Sequence, residues 1–134
     1  MSAQGESETY KKLLDSDYEE TPVDIITFLD DDNYLGKAWK DAAGRPKLFP
    51  YWKKVLTDIF PDPYNTSINN LILSGARGLG KSEIAVTCGL YIMYRIMCMK
   101  NPHLTYNLKP TETFAFSFMN ITETLALDIG INKL

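Results

Sequence analysis

The chain has 134 residues with 17 acidic and 14 basic side chains, a formal charge of −3, and is 45% apolar and 23% charged. That length suits one small domain, and that composition excludes low-complexity, collagen-like and wholly disordered classes. Two cysteines, Cys88 and Cys98, are too few for a disulfide-stapled secreted scaffold, so a soluble protein of a reducing compartment is expected.

The first twenty residues are polar and acidic and lack the apolar stretch of a secretory signal. They are expected to form an acidic, mobile arm (1–20) ahead of one domain (21–134). Residues 1–32 hold ten acids against two lysines, net −8, whereas 33–134 hold seven acids against twelve bases, net +5. Thr21 and Pro22 open an apolar run (Val23, Ile25, Ile26, Phe28, Leu29) that Asp30, Asp31 and Asp32 close. A Thr cap, Pro at the first helical position and an early acid predict a short helix there.

A turn at Ala43-Gly44-Arg45-Pro46 precedes a helical pattern over 48–60, whose apolar positions are Tyr51, Val55, Leu56, Ile59 and Phe60. Residues 70–74, with Leu71-Ile72-Leu73, have the length and character of a buried parallel strand. Residues 82–99 read as a long helix, apolar almost all round and so expected to lie against a sheet. Thr87, Gly89 and Arg95 interrupt it, and it is shorter than the roughly 20 apolar residues of a membrane span. A second strand is expected over 113–119 and a further helix over 122–129, capped by Thr122. Strand, glycine-rich turn, helix, connection, strand is a βαβ unit, so the fold class expected is α/β, a parallel sheet flanked by helices.

Between the first strand and the long helix stands Gly75-Ala76-Arg77-Gly78-Leu79-Gly80-Lys81-Ser82, which fits G-x-x-x-x-G-K-[ST] without a gap. A polyphosphate must be wrapped by donors, so successive backbone N–H groups have to turn inward, which glycines permit. The positive end of the following helix faces the phosphates. Lys81 would reach the β- and γ-phosphates of ATP, and the Ser82 hydroxyl would ligate Mg²⁺. The partner motif, an apolar strand ending in a carboxylate (Walker B), is harder to find. The strand at 113–119 ends in Asn120, and the imitation at Ile25 to Asp31 carries helix-capping signals instead. The chain therefore holds half of an ATPase site, as a fragment or as a protein that binds nucleotide without turnover.

These residues resemble the N-terminal part of the ATPase domain of the large terminase subunit, the DNA-packaging motor of tailed bacteriophages. Three pieces carry the resemblance. Pro22-Val23-Asp24-Ile25 with Phe28-Leu29-Asp30-Asp31 and Tyr34-Leu35-Gly36 resembles a leader segment. Leu48-Phe49-Pro50-Tyr51-Trp52 with Val55-Leu56 resembles the adenine-contacting motif, Trp52 standing where the family often has Gln. Ala76 to Ser82 resembles the variant Walker A with an arginine inside the loop. The resemblance implies a longer parent with Walker B, a coupling motif and an RNase H-like nuclease. It also implies double-stranded DNA, a portal and a small terminase subunit as partners, and the host-cell cytoplasm as location. It casts Arg77 as an arginine finger on the γ-phosphate, which suits a planar charge-assisted donor; pairing with a neighbouring carboxylate or with solvent is the alternative. Other P-loop enzymes, such as a helicase or a small-molecule kinase, share the loop.

Residues 37–54 interleave six bases (Lys37, Lys40, Arg45, Lys47, Lys53, Lys54) with Trp39, Phe49, Tyr51 and Trp52. Such a mixture suits nucleic acid or a nucleobase, and equally a solvated face over a core. Tyr51 and Val55 are expected in the core, and Phe49, Pro50 or Trp52 against adenine. His103 has no partner at metal-ligand spacing, and the cysteines are expected to pack rather than react.

Overall fold

The computed structural model describes residues 16–64, 68–117 and 119, together with 8 and 12. Among them four helices follow in chain order: α1 (Ile25–Asp30), α2 (Pro50–Ile59), α3 (Lys81–Met97) and α4 (Pro102–Thr105). The expected helix at 122–129 lies outside the described residues.

Helix α1 begins later than its Thr-Pro signal suggests. Its cap is Asp24, in extended conformation, whose carboxylate accepts from the Thr27 N–H and hydroxyl. The reason is tertiary. The Val23 N–H donates to the Tyr94 hydroxyl oxygen at 3.0 Å, and the Val23 carbonyl accepts from the Tyr91 hydroxyl at 2.8 Å. Both backbone groups of Val23 are thus spent on α3, which keeps residues 21–23 out of the first turn. Beyond α1 the chain folds back at Gly36, where a Cβ would stand 2.6 Å from the Asp30 carbonyl oxygen. No side chain fits that close approach.

Helix α2 starts on Pro50, whose missing N–H costs nothing at a first helical position. Its buried stripe is Trp52 and Leu56, continued by Phe60, while Val55 is half-buried. Tyr51, expected in the core, is 68% exposed. The stripe that begins at buried Leu48 steps by four residues onto Trp52, and Tyr51 falls one position off it.

Helix α3 turns Ile84, Cys88, Tyr91 and Arg95 inward, a spacing of 4, 3 and 4 that follows one helix face. Tyr91 centres an aromatic cluster, 5.2 Å from Phe28 and 4.9 Å from Phe60 between ring centroids. With Ile25, Leu29, Leu48, Trp52 and Leu56 these residues form the main core. The core is therefore helix on helix among the described residues, rather than helix on sheet. Residues 70–74 and 113–117 run without a β-ladder, and strand-like pairing among the described residues is confined to two isolated bridges, Tyr18 with Met99 and Lys40 with Pro46. A strand is held by neighbours that take its N–H and C=O groups, and the described residues supply none to 70–74; Leu71 and Ile72 are 42% and 90% exposed.

The end of the acidic arm is anchored. Tyr18 is buried against Cys98 and Met99, with its ring 5.3 Å from that of Tyr64, and the Glu19 N–H donates to the Cys98 carbonyl at 2.8 Å. No helix among the described residues is long and apolar enough to cross a membrane.

Candidate phosphate-binding site

The segment 75–80 joins irregular backbone to the start of α3, and three of its residues sit at positive φ: Gly75 at 141°, Gly78 at 87° and Gly80 at 78°. Gly80 is the cap of α3 in left-handed conformation, and its carbonyl accepts the first helical bond, from the Ile84 N–H at 3.0 Å. Amides at a helix start have no acceptor four residues back; here they include those of Lys81 and Ser82, and the helix dipole adds positive charge at the same point.

Two side chains hold the loop. Lys81 reaches back across it, its Nζ donating to the Gly75 carbonyl at 2.9 Å and to the Ala76 carbonyl. Trp52 comes from α2, its indole N–H donating to the Leu79 carbonyl at 2.8 Å. The indole therefore ties the aromatic core to the loop backbone, a role that the sequence pattern did not suggest. Over the loop lies a cavity of about 590 Å³ lined by Gly75, Arg77, Gly78, Gly80, Lys81, Ser82 and Glu83. Seven of the eight motif residues line this cavity or carry the carbonyls that Lys81 holds; Leu79 supplies the carbonyl to Trp52, and Ser82 is half-buried at the cavity wall.

Arg77 is exposed on this wall. Among the described residues Lys40 pairs with Asp32, Arg45 with Asp41 and Lys53 with Asp30, and Arg77 takes part in none of these three pairs. Those pairs use three of the six bases of 37–54, so the acidic run 30–32 partly neutralises the basic cluster. Asp32 and Asp41 lie below the usual carboxylate range, chiefly through the Lys40 hydrogen bond in the first case and the hydrogen bond from the Arg45 backbone N–H in the second. Asp30 sits on α1 and pairs with Lys53 at 2.7 Å, a helical setting rather than the strand end of a Walker B motif.

Pro50 is exposed at the start of α2, whereas Phe49 and Trp52 line a small cavity of about 100 Å³ beside Gly78 and Gly80. Burial pushes the Cys88 thiol up to about 11 and raises that of Cys98, so both stay protonated and unreactive at neutral pH. His103 is held in a turn, one ring nitrogen 2.7 Å from the Glu112 carbonyl oxygen. No group of three or more His, Cys, Asp or Glu poised for a metal occurs among the described residues.

Residues 4–130 match the family model described as the N-terminal P-loop domain of uncharacterized protein MJ0330. No curated protein and no solved structure matches the chain.

Proposed function

The chain belongs to the family of the N-terminal P-loop domain of uncharacterized protein MJ0330, and from that premise we propose that it binds ATP with Mg²⁺ in the cavity over residues 75–82. The observation that carries this reading is the convergence on one cavity of three positive-φ glycines, the start of α3 and the Lys81 ammonium. An ammonium has three hydrogens, and the Gly75 and Ala76 carbonyls take two of them. The third, with the loop amides, is available to a phosphate oxygen. The donor set also suits Mg²⁺, which takes few protein oxygens and completes its shell with phosphate and water. Ser82 is the hydroxyl that would hold it, and the lack of a carboxylate cage among the described residues fits that mode. The bound ion would neutralise phosphate charge. Arg77, exposed at the cavity wall, would add a planar donor to oxygens that gain charge during transfer. Family membership supports 70–74 as the strand that leads into the loop of a parallel sheet.

The finer reading is that this is the ATP-binding part of a packaging motor like the large terminase subunit, with DNA, portal and small subunit as its partners and the host-cell cytoplasm as its place. Its supports are the arginine inside the loop and the contact of the 48–56 segment with that loop through Trp52. The helical setting of Asp30 favours the alternative, nucleotide binding without turnover. Calorimetric titration with MgATP tests the site: Lys81→Ala is expected to weaken binding by about 10- to 100-fold, the worth of a charge-assisted contact, and unchanged affinity rejects it. DNA-stimulated ATP hydrolysis by the full-length protein is the motor's expected behaviour; hydrolysis indifferent to DNA rejects the motor, and binding without hydrolysis favours the alternative.

A further inference from the structure

Alongside α3, next to the phosphate loop, lies a further cavity of about 270 Å³ that phosphate binding does not use. Its apolar walls include Leu35, Leu90 and the half-buried indole of Trp39, and its polar groups include Lys47 and Thr87. The small cavity beside Trp52 shares Trp39 and Lys47 with it, and shares Gly78 and Gly80 with the loop cavity. Glu83 lines all three. The three cavities thus adjoin one another, with a donor-rich end over the loop and an aromatic, apolar end beside α3.

We infer that the apolar end holds the purine base of the nucleotide whose phosphates the loop binds, an inference that rests on the nucleotide-binding reading above. The direction follows from the helix. Glu83 comes directly after the loop's Ser82, and Thr87 and Leu90 follow at four and three residues, so one face of α3 leads from the phosphate end into this cavity. The chemistry suits a base. Lys47 offers donors only, and the Thr87 hydroxyl gives its hydrogen to the Glu83 carbonyl at 2.8 Å, leaving its lone pairs to accept. A purine edge presents ring-nitrogen acceptors and N–H donors together, and its face stacks on an indole. The Trp39 wall is fixed, because the Lys47 N–H donates to the Trp39 carbonyl at 2.8 Å beside the Lys40–Pro46 bridge. Trp52, by contrast, has its N–H committed to Leu79, and Pro50 does not line any of these three cavities. The base-reading residues are thus Trp39, Lys47 and Thr87 rather than Pro50 and Trp52.

Titration with MgATP, MgCTP and magnesium tripolyphosphate separates base from phosphate. The unaltered chain is expected to bind ATP at least about tenfold more tightly than tripolyphosphate and more tightly than CTP. Trp39→Ala should bring ATP down to the tripolyphosphate level and leave tripolyphosphate unchanged. Ala38→Trp, which fills the cavity from its exposed rim without removing a core contact, should do the same. If Trp39→Ala loses both ligands it has lost its fold, and Ala38→Trp decides. Equal binding of ATP and tripolyphosphate by the unaltered chain overturns the inference, as does equal binding of ATP and CTP, or an ATP advantage that survives Ala38→Trp. In each of those cases the phosphate loop still stands. Binding of neither ATP nor tripolyphosphate by the unaltered chain defeats the loop itself, and the base site with it.

Discussion

Tyr91 and Ile72 are both large and apolar, yet the first is fully buried and the second 90% exposed. Tyr91 meets Phe28 from α1 and Phe60 from the end of α2, and its hydroxyl bonds the Val23 carbonyl, so three stretches of chain close over it. Ile72 lies in a segment that makes no β-ladder among the described residues. Burial follows from the neighbours that the fold supplies, and hydropathy alone does not decide it. The phosphate loop stands at the border of these two regions, and Trp52 fastens it to the packed side.

The largest expected effect sharpens that contrast. Tyr91→Ala should cost about 3–5 kcal/mol of stability, the range for removing a buried aromatic side chain, whereas Ile72→Ala should stay within about 0.5 kcal/mol. Denaturant titration measures both, and equal losses would show that 70–74 is as well packed as the core. Next comes the fastening itself. Trp52→Phe keeps the ring and removes the N–H to Leu79, for a loss of about 1 kcal/mol and a few-fold weaker MgATP binding. A stability loss with no change in affinity would separate core from loop. The smallest effect lies at the edge of the packed region. Asp24→Ala should cost about 1 kcal/mol through loss of the α1 cap. Its bond from the Thr27 hydroxyl holds the Asp24 carboxyl below its ordinary 3.8. The contribution is therefore present above pH 3.8 and fades as pH falls through the lowered value, so variant and parent should converge in acid, as melting curves against pH would show.

Much of the candidate site was legible along the chain. Gly75, Gly78 and Gly80 take positive φ, as a loop that turns its amides inward requires, and Lys81 opens α3 directly after them. Helices α1 and α2 were legible within a few residues, because their apolar spacing and proline positions act locally. What was not legible depends on contacts distant in sequence. Trp52 was read for stacking because an indole suits a base, but its partner, Leu79, lies 27 residues on. Trp39 and Leu90, two walls of one cavity, are even further apart.

From its residues alone, this chain determines a phosphate loop, a helix behind it and the approximate extents of two further helices, since backbone freedom, capping and periodicity are properties of neighbouring residues. Tertiary structure decided that α1 starts at Ile25 rather than at Pro22, that Tyr51 faces out while Trp52 faces in, and that an apolar cavity adjoins the loop. Each of those outcomes is set by a hydrogen bond or a packing surface that exists only once segments 27 to 71 residues apart have met.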